Sequence, residues 1–305
     1  MTTASGKTDV SQLIDAQKAR IDAILNRKFE KQHAGWPPKL ADAVRYSLFA
    51  GGKRLRPVLA LTVVELLGRD FTRFDNLFVA LECIHTYSLI HDDLPAMDND
   101  SMRRGHPTSH VKFGEAAAIL AGDGLLTFAF ELLTDPAFVK NFQPENVVKC
   151  VHIISSASGP AGMVGGQHMD TCGVAPAVTE SDLERLHRLK TAKLLSASVT
   201  SPAALAGVHE AILFNLTEYG DAIGLAFQIC DDILNVVGNS REMGKAVGSD
   251  EKMGKTTYPK ILGIDGARLK AKELCVKAKT ALEPFPADRR LPLELLANFI
   301  VERVK

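Results

Sequence analysis

The chain has 305 residues, 46% of them hydrophobic, with 36 basic and 36 acidic side chains. A balanced charge excludes functions that need bulk basicity, such as nucleic-acid binding, so any charge-based chemistry must be local. Five scattered cysteines with no CxxC pair predict reduced thiols rather than a disulfide framework.

The opening MTTASGKTDVSQ lacks the apolar segment of a signal peptide, so no secretory leader is expected. Residues 1–36 read as a peripheral N-terminal segment. Pro37 and Pro38 open a helix with Leu40, Val44 and Leu48 at helical spacing, closed by Gly51 and Gly52. Pro57 opens the next helix, and a longer one is predicted from Phe74 to Leu94. Helices follow at 114–134 and 144–158. Ser181-Asp-Leu-Glu184 reads as a capping box before a helix reaching Ala206. Helices at 209–235, 266–282 and 293–303 complete the pattern. Strand-like alternation is scarce, and no linker divides the chain, so one all-α domain over 1–305 is predicted. No uninterrupted apolar run approaches the roughly 18 residues of a membrane span. A cytoplasmic chain without a span is therefore expected.

LIHDDLPAMDND (Leu89 to Asp100) ends an apolar helix in carboxylates. Leu94 precedes Pro95, which biases it out of the α region and ends the helix near Asp93. A helix C-terminus is already electronegative, so Asp92, Asp93 and Asp98 concentrate negative charge that a hard divalent cation would relieve. A second string, QICDDILN, puts Asp231 and Asn235 on one helix face with Asp232 and Gln228 beside them. These oxygen donors suit Mg²⁺, which bridges carboxylates to substrate phosphates. Basic residues sit where phosphate would need them. Lys53 and Arg56 follow a glycine hinge, Arg103 and Arg104 follow the first cluster, and Lys190-Thr191 lies mid-helix. Lys245 and Lys255 punctuate a glycine-rich stretch after the second cluster.

A rival reading exists. Glu82-x-x-His85 and Glu184-x-x-His187 have the spacing of a di-iron helical bundle. It leaves the doubled aspartates and GGKRLRP unexplained.

GGKRLRP, the ExxHxxxLxHDDLPxMDxDxxRRGxPT frame from Glu82 to Thr108, and GSDEKMGKTTYP from Gly248 to Pro259 together resemble the trans-prenyl diphosphate (polyprenyl) synthases, nearest to the bacterial farnesyl type. The resemblance implies an all-α, isoprenoid-synthase-type bundle around a deep central cavity, and a homodimer. It implies condensation of isopentenyl diphosphate with dimethylallyl and geranyl diphosphate by ionisation, attack and proton loss. About three Mg²⁺ ions, with Mn²⁺ as a substitute, are expected with substrate bound. Asp92, Asp93 and Asp98 would form the first metal site, and Asp231 with Asp232 the second. Arg103, Lys190, Lys245 and Lys255 would hold the allylic diphosphate. Lys53, Arg56, His85 and Arg104 would hold isopentenyl diphosphate. Lys190, Thr191 and Gln228 form the catalytic set, the last two aiming oxygen dipoles at the developing cation. Gln167 and Asp170 also match the family, whereas Asn235 departs from its DDxxD pattern. Tyr87 and Ser88, five and four residues before Asp92, would measure the growing chain. Farnesyl diphosphate is the expected product, with a geranyl or geranylgeranyl diphosphate synthase as the alternative.

Overall fold

The computed structural model describes residues 4–172, 179–237 and 255–304. Among them the architecture is all-α apart from one small hairpin, and the helices gather into two compact units. Residues 1–61 and 70–147 form the first; residues 62–69 and 148–305 form the second.

In the first unit, α1 (Ala4–Gln32) leads into α2 (Pro38–Leu48), where Pro38 occupies the first turn. Gly51 and Gly52 stop that run at φ of 87° and 108°. α3 (Leu55–Leu66), of which residues 55–61 belong to this unit, starts two residues ahead of Pro57, which its first turn tolerates. α4 (Asp75–Asp92) is the central helix. Every residue from Asp75 to Ile84 is buried, so the helix shows no polar stripe. Beyond it come β1 (Met102–Arg103), β2 (His106–Pro107), α5 (Ser109–Phe113), α6 (Glu115–Thr134) and α7 (Pro136–Val139). α4 packs on α6, and Asn76 ties the two by donating to the Leu132 carbonyl at 2.7 Å. The N-terminal segment is not peripheral: α1 packs on α4 and fully buries Ile21 and Leu25, with Phe29 at 2% exposure.

The second unit contains most of α8 (Pro144–Ser158), then α9 (Met163–Cys172), α10 (Glu180–His187), a π-helical turn (Arg188–Ala192) and α11 (Lys193–Leu205). α12 (Glu210–Val237), α13 (Tyr258–Ala281) and α14 (Ala287–Glu302) follow. α12 is the hub, packed against α11, α13, α14 and the π turn. α10 begins earlier than the sequence suggests, because Thr179 rather than Ser181 is the N-cap and accepts from Asp182 N at 3.2 Å. α13 also starts early, at Tyr258, and breaks at Gly263 with φ of 70°. α6 and the stretch Pro144–Cys172 are long and apolar enough to cross a membrane by length and composition alone. They carry buried core residues such as Leu125, Leu132 and Ile154, and such helices do not establish a span.

Candidate active site

The acidic end of the first unit is built by one backbone bond. α4 stops at Asp92, and Asp98 N donates to the Asp92 carbonyl at 2.9 Å, folding the loop back onto the helix end. Asp92 and Asp98 stay partly exposed there. Asp93 does not join them: it is 3% exposed, and Arg103 grips it with Nε–Oδ2 at 2.7 Å and Nη2–Oδ1 at 2.6 Å. The expected acidic trio thus divides into two accessible carboxylates and one buried partner of Arg103. Two hard carboxylates at an electronegative helix end fit Mg²⁺, which keeps waters and takes its remaining oxygens from substrate phosphates. Among the described residues no three His, Cys, Asp or Glu side chains converge as a ready-made cage.

A basic cluster is assembled from three segments of the same unit. Arg104 and Gly105, at φ of 53° and 80°, make the tight turn between β1 and β2. Arg104 donates to the Gly51 carbonyl, and its guanidinium lies 2.5 Å from where a Cβ on Gly52 would sit. Arg54, also left-handed at φ of 51°, points inward to Glu82 Oε1 at 2.8 Å and Asp22 Oδ1 at 2.9 Å. The Arg54 and Glu82 side chains are each 2% exposed. That buried pair anchors the loop whose Lys53 is exposed and whose Arg56 is buried. His85, one turn after Glu82, has an enclosed Nδ1 with no hydrogen-bond partner. Burial first, and then the charges of Arg56 and Arg104, hold its ring well below the ordinary histidine range. A neutral imidazole ringed by guanidiniums leaves positive potential that an anion would relieve. Tyr87 is 5% exposed and meets His91 edge-on at 5.8 Å. Burial and Asp92 push its hydroxyl up to about 12. Ser88 Oγ donates back to the His85 carbonyl at 2.9 Å.

The second unit centres on the π turn, whose extra residue re-aims Lys190 and Thr191. Gly166 of α9 and Gly224 of α12 press directly on its backbone, and a Cβ at 224 would lie 2.7 Å from Ala192 Cα. Lys190 Nζ and Lys255 Nζ both reach Asp170 Oδ2, at 2.6 and 2.8 Å. Burial opposes the Asp170 charge, but the two ammoniums hold its carboxyl below the ordinary range. Gln167 instead donates along its own helix to Thr171 Oγ1 at 3.3 Å. Thr191 Oγ1 donates to Gln228 Oε1 at 2.7 Å, and Gln228 Nε2 donates to Asp232 Oδ1 at 3.1 Å.

The three residues of the second acidic motif differ in surroundings. Asp231 is partly exposed and takes Arg303 Nη2 at 2.7 Å. Asp232 and Asn235 are 3% and 5% exposed. Lys245 lies outside the described residues, as does most of its glycine-rich stretch. The di-iron reading loses its carboxylates: Glu82 is bonded by Arg54, and Glu184 by Arg188 at 2.8 Å. Sequence reasoning passed over Asp22, Arg54 and Arg303, and read Glu82 only as a di-iron ligand or as part of the family frame; the placement of Arg54 inside GGKRLRP could have flagged that arginine.

Comparison with known proteins identifies the family. The model of the polyprenyl synthetase family matches residues 37–283. A farnesyl diphosphate synthase of Haemophilus influenzae is 42% identical, covering 96% of this chain and 98% of its own. One from Geobacillus stearothermophilus is 46% identical over 86% of this chain and 87% of its own. A geranyltransferase of Helicobacter pylori, solved with magnesium and isoprenyl diphosphate, superposes with a TM-score of 0.79 at 33% identity, covering 95% of this chain and 96% of that one. With paired acidic and basic sets in both units and a family match over most of its length, this chain belongs to the polyprenyl synthetase family.

Proposed function

We propose that the chain is a Mg²⁺-dependent farnesyl diphosphate synthase. It joins isopentenyl diphosphate to dimethylallyl diphosphate, and then to the geranyl diphosphate so formed. The observation that carries the reading is the pairing, within each unit, of partly exposed aspartate with gathered cations. Farnesyl synthases among the relatives and the magnesium bound by the Helicobacter pylori neighbour support it.

Asp92, Asp98 and Asp231 would hold Mg²⁺, which when bound neutralises the diphosphate leaving group. Lys190 and Lys255, now sharing Asp170, turn to the allylic diphosphate oxygens; Lys245 joins them. Within the first unit, Arg103 steadies Asp93. Lys53, Arg56, His85 and Arg104 take the second diphosphate. The allylic C–O bond breaks and the isopentenyl double bond attacks the allylic carbon. Attack leaves the positive charge on the tertiary carbon of the isopentenyl unit, and the CH2 between that carbon and the CH2–O group then loses a proton to the released diphosphate. Thr191 has its hydrogen committed to Gln228, so its oxygen lone pairs are available to the transient positive charge.

A homodimer in the cytoplasm completes the reading. α6 leaves Ile119 and Leu120 at 42% and 59% exposure, an apolar face suited to a second copy. The test is incubation of the purified chain with dimethylallyl and isopentenyl diphosphates, with and without Mg²⁺, and product length read by mass spectrometry. Fifteen-carbon product only with Mg²⁺ is expected; no condensation, or a product of another length, would overturn it.

A further inference from the structure

Asp232 stands beside Asp231 in the second acidic motif, yet its surroundings differ from those of its neighbour. Its Oδ2 accepts from the backbone N–H of Tyr258 at 2.9 Å, the first residue of α13, where the helix dipole favours a carboxylate. Its Oδ1 accepts from Gln228 Nε2 at 3.1 Å. The buried His187 ring flanks it, Nε2 lying 3.8 Å from Oδ2, and burial depresses that histidine to about 3. The ring is therefore neutral. At 3% exposure, Asp232 is enclosed by the fold.

This arrangement fixes the polarity of a chain of hydrogen bonds. A carboxylate can only accept, so the NH₂ of Gln228 must face Asp232. Gln228 Oε1 is then turned to Thr191, where it can only accept, so Thr191 must donate its single hydrogen inward. The lone pairs of Thr191 are left for another partner. The backbone beneath is clamped by Gly224 against Ala192, so Thr191 cannot easily shift to undo the arrangement.

We infer that Asp232 is a positioning residue, not a metal ligand: through Gln228 it orients the Thr191 hydroxyl so that its lone pairs face the allylic cation. The inference rests on the prenyltransferase reading above, but its test has an arm that does not.

The decisive variant is Asp232→Asn. The asparagine oxygen still receives Tyr258 N–H, so its NH₂ confronts Gln228 and forces that amide to flip. Gln228 then donates to Thr191, occupying one of its lone pairs and freeing its hydrogen to turn towards the cation. The expected kcat falls about a hundredfold, the size seen when one preorganised electrostatic contact is lost. The KM values for both diphosphates change less than about threefold, since ground-state binding is untouched. Mn²⁺ binding in the presence of inorganic diphosphate, followed by the Mn²⁺ electron-spin signal, is unchanged in stoichiometry and affinity.

The double variant Asp232→Asn/Gln228→Glu restores the polarity at constant charge, because a glutamate accepts from both neighbours; at least tenfold of the lost kcat returns. If Asp232→Asn does not fold, Gln228→Met cuts the same chain one link later and is expected to lower kcat with Mn²⁺ binding intact. Loss of a Mn²⁺ ion or tenfold weaker binding in Asp232→Asn would make it a ligand and overturn the proposal. So would wild-type kcat in either single variant, or no recovery in a folded double variant. Should the wild-type chain make no prenyl product, the parent reading fails on its own, and Mn²⁺ binding still decides whether Asp232 is a ligand.

Discussion

Arg303, at the end of the last helix, donates from Nη2 to Asp231 Oδ1 at 2.7 Å while its guanidinium lies 5.0 Å from the centre of the Phe227 ring. A cation from the C-terminus thus rests on the aspartate proposed to bind Mg²⁺. Mg²⁺ held by Asp231 as proposed would compete with the arginine for one oxygen. Arg303→Gln is expected to lower the Mg²⁺ concentration for half-maximal calorimetric binding with inorganic diphosphate several-fold. An unchanged titration would mean the contact carries no such competition.

The adjacent aspartates of the first cluster should separate cleanly. Asp92→Ala is expected to lower kcat by several orders of magnitude with little change in melting temperature, since it removes an accessible carboxylate proposed to hold Mg²⁺. Asp93→Ala should instead destabilise the fold by about 3–5 kcal/mol, because it leaves the half-buried Arg103 charge without its main partner. Urea denaturation of both variants, alongside turnover, checks the contrast.

The Arg54–Glu82 pair offers a second contrast. Both side chains are 2% exposed, so Glu82→Ala strands a buried guanidinium, with Asp22 as the nearer remaining acid. A loss of about 3–5 kcal/mol is expected. Replacing both members with apolar residues, Arg54→Met/Glu82→Leu, should cost less than Glu82→Ala alone. The ranking is read from denaturation midpoints.

Acid should weaken the second unit through His187. Its folded value of about 3 lies below the ordinary value of 6.5. The unfolded chain therefore takes up a proton as pH falls through 6.5, while the folded chain takes it up only near 3. Stability falls with falling pH across that window, by up to about 1.4 kcal/mol per pH unit from this one group. His187→Gln should flatten the denaturation midpoint between pH 6 and pH 4; a slope identical to the wild type would contradict the assignment.

Product length should respond to the helix that carries Asp92. Ser88 and Tyr87 lie roughly 6 to 7.5 Å back along α4 from that residue. Tyr87→Ala is expected to yield twenty-carbon or longer chains, and Ser88→Phe to accumulate the ten-carbon product. Mass spectrometry of the products decides; two unchanged distributions would remove α4 from the measurement of chain length.

Much of the helical frame was legible because it is written locally. Pro38 and the Gly51-Gly52 pair mark the ends of α2, and the residue before Pro95 marks the end of α4. α1 was missed as part of the core because its few buried positions are diluted by charged ones along its length. The N-cap moved from Ser181 to Thr179 because two hydroxyl residues competed within three positions, each with an acid three residues on. The π turn has no sequence signature; it follows from helix packing against Gly166 and Gly224. In the site, residue types were legible but roles were not. Asp92 and Asp93 look alike in sequence, and only the return of Arg103 ten residues later tells them apart. Asp231 and Asp232 differ likewise through partners from remote helices, Arg303 and Tyr258.

The guanidinium of Arg104 fills the space that any side chain on Gly52 would need. The two positions are therefore coupled through shared space. A methyl group at 52 must push the Arg104 guanidinium aside, and at φ of 108° it also strains the backbone. Gly52→Ala and Arg104→Ala should overlap in catalytic phenotype, with Gly52→Ala alone adding a loss of stability. A library that diversifies both positions would sample choices that constrain each other.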